Sequence, residues 1–188
     1  MKLVRKNQLI EEISVLFAEK GYASLGVATI ASKCGITKPT LYYYFKNKED
    51  ILASIVEFYG NQLRSDLMAA FEEKSFEDSL TAIVDRFLIF THKNPSYFRL
   101  YLSLVFTPHK NVAYQIVKKE AEVLQLTVEK LISQKEEWGA YVPFLAVSLI
   151  GQMNSFATII LNGYAMYSPD ISKTVVDLFL RGANKYGK

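Results

Sequence analysis

Residues 31–50 read ASKCGITKPTLYYYFKNKED, and this stretch decides the fold. Gly35 breaks one short helix. Thr37 is placed to cap the next, and Pro39 is tolerated in its first turn, where a missing N–H has no helical partner to lose. Ahead of the break, Val27, Ile30, Ala31 and Cys34 repeat the i, i+3, i+4, i+7 spacing of a buried helical stripe. Two short helices packed at a steep angle need a small residue at their crossing, which Ala31 supplies. Four positions on they need a residue that tolerates a left-handed backbone, which Gly35 supplies. Ile30, Cys34, Ile36 and Leu41 close the wedge, and Phe45 joins Leu41 in the core. The arrangement is a helix-turn-helix.

The residues left outside the wedge carry the chemistry. Thr37, Lys38, Thr40, Tyr42 and Tyr43 offer hydroxyls and an ammonium suited to the phosphates and base edges of DNA. Lys48, at the start of the following helix, is placed to approach a phosphate beside that helix's positive end. Tyr44 is divided, since its spacing from Leu41 points inward while its neighbours point out, and it stays among the DNA-facing candidates. Tyrosines with wet tips also pack as plain surface. Lys38 and Lys48 around Tyr42 favour DNA.

Outward from this stretch, helical periodicity dominates and nothing alternates with period two. A first helix buries Leu9, Ile13, Leu16 and Phe17 and stops at Gly21. Asn47 with Asp50 caps a long fourth helix, 48–72, through Ile51, Ile55, Tyr59, Leu63 and Leu67. Later starts are marked by Ser75 with Asp78, Asn94-Pro95, Thr107-Pro108 and Ser168-Pro169-Asp170. They bound apolar-striped segments at roughly 76–92, 95–105, 109–134, 142–163 and 169–186. The expected fold is all-α, with about nine helices and a boundary near Lys48: a head at 1–48 and a helical bundle at 49–188.

Charge follows the same division. Residues 1–50 hold eight Lys or Arg against five Asp or Glu and supply the whole net +3; the rest holds fourteen of each. A basic head on a neutral body suits a polyanion-binding module joined to a domain with another task. One cysteine excludes an internal disulfide framework. The basic amino terminus has no signal-peptide apolar run, and polar Gln152 and Asn154 interrupt the apolar stretch Val142–Leu161. A soluble, cytoplasmic protein with no membrane span is expected. His92 and His109 lack metal-ligand spacing, and no nucleophile motif, phosphate loop or dinucleotide fingerprint occurs. No enzyme, metal or cofactor is therefore expected. Cys34 reads as a small buried residue of the turn rather than a redox switch.

Residues 21–51, GYASLGVATIASKCGITKPTLYYYFKNKEDI, resemble the DNA-binding domain of the TetR family of bacterial transcriptional regulators. The run Leu41-Tyr42-Tyr43-Tyr44-Phe45-Lys46-Asn47-Lys48 is the most specific part, with Ile30-Ala31 and Gly35 matching in spacing. The likeness covers about residues 5–55; beyond them only the architecture and the weaker Asn94-Pro95 to Phe98-Arg99-Leu100 segment match. One departure bears on readout. Where family members often have a Ser or Thr cap followed by a DNA-contacting Arg, this chain has Gly26 and Ala28. Gly still caps, but Ala28 has no hydrogen bond to give a base, so readout leans on the third helix.

The resemblance implies that the body senses a ligand and dimerises. Aromatics at helical spacings, from Phe87, Phe90, Tyr97, Phe98, Tyr101 and Phe106 to Tyr114, Trp138, Phe144 and Phe156, are mostly core by default. With Met153, Asn154 and Thr158 they also suit an apolar cavity holding few polar groups. The candidates for contact with a hydrophobic effector are Phe87, Phe90, Tyr101, Tyr114, Met153 and Phe156. The last two helices are candidates for a homodimer interface: Ala146, Gly151, Ser155, Ala157 and Gly163 allow close approach, and Val175, Leu178 and Phe179 add apolar contact. The expected protein is a homodimeric, ligand-responsive transcriptional regulator, a repressor released from its DNA operator by a hydrophobic small molecule. The competing reading is a helical ligand-binding or interaction module that does not use its head on DNA.

Overall fold

A computed structural model describes residues 2–186. Among them are nine α-helices: α1 Lys2–Lys20, α2 Val27–Lys33, α3 Lys38–Tyr44, α4 Lys48–Met68, α5 Phe76–Lys93, α6 Pro95–Val105, α7 Val112–Ile132, α8 Val142–Leu161 and α9 Pro169–Ala183. Tighter 3₁₀ turns cover Ala69–Glu72 and Glu136–Tyr141, and the described residues hold no strand.

Local chemistry accounts for most of the boundaries. Four of the five prolines, Pro39, Pro95, Pro143 and Pro169, stand in the first turn of a helix, where their lost N–H costs nothing. The Asp50 N–H donates to Asn47 Oδ1 (2.7 Å), and the Asp50 carboxylate reaches back to the Lys46 N–H (2.8 Å), so the start of α4 is capped from both sides. Ser75 caps α5: the Asp78 N–H donates to the Ser75 hydroxyl at 3.0 Å, and that hydroxyl donates to the Asp78 carboxylate at 2.7 Å. Two expectations need correction. The expected 48–72 helix is α-helical only to Met68 and finishes as a 3₁₀ turn. Thr107-Pro108 does not start α7: the Thr107 hydroxyl closes the end of α6 on the Leu104 carbonyl, and Asn111 caps α7 by accepting from the Ala113 N–H (2.8 Å). A short side-chain oxygen two residues before a free N–H outcompetes the proline signal.

The chain forms two compact units. Of the described residues, the first takes 2–61 and 94–120 and the second 62–93 and 121–186, so α4 and α7 each contribute to both. In the first unit α1 packs along α6 and α2 along α3. Leu9, Ile13, Phe17, Ile30, Leu41, Phe45, Leu52 and Ile55 lie at the centre, each at most 1% exposed. A line of tyrosines crosses this unit. Tyr59 of α4 lies 3.4 Å from the Ser14 hydroxyl of α1 and stacks on Tyr97 of α6 (centroids 4.6 Å apart), and Tyr97 in turn meets Tyr101 at 6.3 Å.

The second unit is built on α5, which packs against α8 and α9. Trp138 is buried at its centre, with edge-on contacts to Phe76 (5.5 Å) and Phe179 (6.0 Å). Asp85 of α5 accepts from the Tyr167 hydroxyl (2.6 Å) and the Ser172 hydroxyl (2.8 Å), tying α9 and the segment before it to α5. Two aromatics counted with the core are not in it: Phe106 is 86% exposed and Phe144 74%. Phe106 caps the end of α6, beyond reach of the stripe it continues in sequence. Phe144 lies on the outward side of α8 with Val147, Gly151, Ser155 and Ile159. The expected small-residue interface also divides at this helix, because Ala146 and Ala157 face inward and are fully buried. A helical period sends residues eleven apart to the same side, and these two fell to the core. Val175 and Phe179 of α9 are likewise buried, whereas Leu178 is exposed.

Candidate nucleic-acid interface

The head is made rigid before it is made sticky. At the end of α2 the Ile36 N–H donates to the Ala31 carbonyl (3.0 Å) and the Gly35 N–H to the Ser32 carbonyl (3.2 Å), the paired bonds of a Schellman stop. Gly35 meets that geometry with a φ of +64°, which costs a residue with a Cβ on the order of 1–2 kcal/mol. Thr37 caps α3 by accepting from the Thr40 N–H at 3.2 Å, and the two threonine hydroxyls are 2.8 Å apart. A cap of this kind is worth about 1 kcal/mol.

This frame sorts the candidates by side. Ile30, Ala31, Cys34, Leu41 and Phe45 are buried, with Ile36 half-buried beside them. Thr37, Lys38, Thr40, Tyr42 and Tyr43 are all exposed, Tyr42 by 46% and Tyr43 by 62%. The Lys38 ammonium lies 5.8 Å from the Tyr42 ring centre, so cation and ring form one surface. Tyr44 is half-buried, edge-on to Tyr43 at 5.1 Å and tilted against Phe45 at 6.4 Å. It supports the outward tyrosines from behind.

Lys48 stands apart from that surface. Its ammonium lies 4.4 Å over the Tyr22 ring and donates to the Ala23 carbonyl (3.3 Å), bracing the start of α4 against the 21–26 loop. Partial burial lowers its pKa, with Glu49 pulling the other way. Burial, helped by Glu49, pushes the Tyr22 hydroxyl up to about 12, so the ring beneath the ammonium stays neutral. Sequence reasoning missed Tyr22. Its only signal was the Gly21-Tyr22 step ending α1, which carries no periodic pattern.

The Cys34 thiol is pushed up to about 11, first by burial and then by the Glu12 carboxylate. At pH 8 its thiolate fraction is about a hundredfold below that of an ordinary thiol. Alkylation by iodoacetamide should be slow in the native protein and become fast in denaturant; rapid native labelling would contradict this burial.

The effector candidates are placed less simply. Phe87, Phe90 and Met153 are packed in the core of the second unit and Phe156 is half-buried there. Tyr101 and Tyr114 belong to the first unit, Tyr114 lying edge-on to His109 at 4.8 Å. His92 stacks instead on Tyr167 (6.3 Å). An open cavity of about 600 Å³ in the second unit is lined by other residues, among them Tyr141, Phe144, Gln152, Leu178 and Tyr186.

A two-helix wedge with Lys38 and three tyrosines on its second helix has the form of a helix-turn-helix DNA-binding head. Residues 9–55 match the family described as bacterial regulatory proteins, tetR family. That match covers the head, about a quarter of the chain, and makes it a TetR-type DNA-binding domain. Over 55 residues it is 44% identical to the Bacillus subtilis HTH-type transcriptional regulator YerO, a match covering 29% of this chain and 19% of YerO; the chain thus spans about a fifth of that relative. It is 28% identical over 148 residues to the HTH-type transcriptional activator FasR of Mycolicibacterium smegmatis, covering 78% of this chain and 67% of FasR. The fold superposes on Bacillus subtilis FadR, solved in complex with stearoyl-CoA, with a TM-score of 0.78 at 20% identity, covering 93% of this chain and 97% of FadR.

Proposed function

We propose that the protein is a ligand-responsive, DNA-binding transcriptional repressor that works as a homodimer in the cytoplasm. Roles divide near Lys48, with residues 1–48 binding DNA and residues 49–188 binding ligand and pairing subunits. The observation that carries this is the sorting of one short helix: α3 buries Leu41 while exposing Lys38, Thr40, Tyr42 and Tyr43 together. Thr37, Lys38, Thr40, Tyr42 and Tyr43 meet base edges and phosphates, Tyr44 backs them, and Lys48 keeps spare N–H donors for a phosphate beyond the Ala23 bond.

A single head reads too little sequence for a specific site. Two heads about 34–36 Å apart would read half-sites in successive major grooves. The outward side of α8 supports pairing. By length and composition alone the 136–161 segment is apolar enough to cross a membrane, yet only a third of its most apolar 18 residues are buried within the subunit. A second copy covering Phe144, Val147, Ile159 and Leu178 accounts for that exposure without a membrane. The Gln152 Oε1 and Asn154 Oδ1 acceptors of α8 are buried with no protein donor in reach. Unmet buried acceptors cost about 1–3 kcal/mol each, which favours donors from a partner subunit or a ligand.

For the effector we propose a hydrophobic small molecule of the long-acyl class. FadR, of the same fold, is solved with stearoyl-CoA, and apolar Phe87, Phe90, Met153 and Phe156 are suited to an acyl chain in the second unit. Tyr101 and Tyr114 are the candidates of the first unit. Ligand releases DNA by favouring a head spacing that does not fit, and a coupling of roughly 1–3 kcal/mol is typical. FasR carries the name of an activator, so the sign of regulation is tested separately, by whether deleting the gene raises transcription from the neighbouring promoter.

The binding test is fluorescence anisotropy on DNA flanking the gene, titrated with salt and then with an acyl-CoA. Affinity is expected to fall by about a hundredfold or more between low and moderate salt, as phosphate-driven binding requires. Salt-independent binding, or none, would reject the assignment.

A further inference from the structure

Gly60 lies buried in the interior of α4, a position where alanine would make the better helix. A Cβ there would lie 2.3 Å from Oε2 and 2.5 Å from Cδ of Glu120 on α7. The carboxylate therefore occupies the space of the side chain that Gly60 lacks. The last member of the tyrosine line, Tyr101, has its hydroxyl pushed up to about 12 by burial and then by the Glu120 charge. All these residues belong to the first compact unit, which also contains the head.

We propose that Glu120 is a positioning residue for the DNA-binding head: its carboxylate, seated in the notch at Gly60, latches α7 to α4. Beside the latch the tyrosine line runs from Tyr101 through Tyr97 to Tyr59, one residue before the notch. From Tyr59 the Ser14 contact continues into α1 of the head. α4 is the helix whose capped first turn carries Lys48 and receives α3 through Asn47, so its position sets where α3 points. A groove of about 430 Å³ lined by Ala53, Val56, Glu57, Val112, Ile116 and Lys119 also has Glu120 in its wall, so the latch lies within reach of molecules entering from solvent. The glycine is explained by this role. A helix former at position 60 would gain helix stability and displace the latch.

This inference rests on the DNA-binding reading, and the test separates the two. The variants are Gly60→Ala, Glu120→Ala, Glu120→Gln and the Gly60→Ala/Glu120→Ala double, measured by amide hydrogen exchange, thermal melting and operator affinity. The glutamate end is flexible, so Gly60→Ala should fold, with an unchanged or higher Tm, while expelling the carboxylate. Exchange across 53–61 and 112–120 should rise about fivefold or more in each single alanine variant, and operator affinity should drop by about the same factor. The double variant should be no worse than either single change, since both remove one contact. Glu120→Gln, which keeps the shape, should retain most of both. Unchanged exchange in the single variants, or effects that multiply in the double, overturns the latch whether or not the wild type binds DNA. If the wild type binds no DNA, the reading of the head fails and exchange alone decides the latch.

Discussion

Replacing Lys38 and Tyr42 together with alanine is expected to weaken operator binding by on the order of a hundredfold while leaving Tm unchanged. Both side chains are exposed, and neither belongs to the buried wedge of Ile30, Ala31, Cys34, Leu41 and Phe45. The fold therefore has little to lose. On the proposed DNA face, the complex would lose an ammonium and a phenol that lie within one cation–ring surface. Contacts of this kind contribute about 1–3 kcal/mol each when they read a base, and a phosphate contact removed shows as a shallower salt slope by about one unit. The slope separates the roles. If Lys38 touches a phosphate, Lys38→Ala alone should flatten it across all sequences, whereas Tyr42→Ala should narrow the gap between operator and random DNA. A double variant that binds as tightly as wild type would remove the α3 face from the mechanism.

The second large effect is on stability. Trp138→Ala is expected to cost about 3–5 kcal/mol, the usual range for emptying a buried large aromatic site. The indole is 1% exposed and touches Phe76 at the start of α5 and Phe179 in α9, so its loss leaves a cavity where two elements meet. Against the 5–15 kcal/mol typical of a folded protein, that is a large share. Tm should fall by on the order of 10 °C, followed by circular dichroism. Trp138→Phe should cost much less, because a phenyl keeps part of both edge contacts. The wild type also offers a direct readout, since Trp138 is its sole tryptophan and all indole emission reports on the second unit. A Trp138→Ala protein that melts with the wild type would mean this cluster is not a keystone of that unit.

Local signals were legible where chemistry and geometry act over a few residues. Gly35 with Thr37, Asn47 with Asp50, and Ser75 with Asp78 were read from sequence and make the stop and cap bonds expected of them. Periodicity was less decisive along α8, where nearly every side chain is apolar or small. A helix hydrophobic all round does not reveal which side faces its own core, so Ala146 and Ala157 were grouped with Gly151 and Ser155 although the two pairs face opposite ways. Phe106 and Phe144 were placed inside for a similar reason, since hydrophobicity predicts burial only on average. Tyr22 and Glu120 were invisible because their partners, Lys48 and Gly60, are far away in sequence.

The sequence by itself determined the all-α class, the helix-turn-helix and its two faces. These depend on helical spacing, on a glycine able to take positive φ and on short polar side chains beside free N–H groups, all interactions within one or two turns. Only the tertiary structure decided that Lys48 is braced on Tyr22, that a line of tyrosines crosses the unit containing the head, and that Gly60 is a seat for Glu120. Such contacts join residues whose proximity depends on how several helices pack together. No local pattern records that packing, because the same apolar stripe satisfies many neighbours and only close fit selects one.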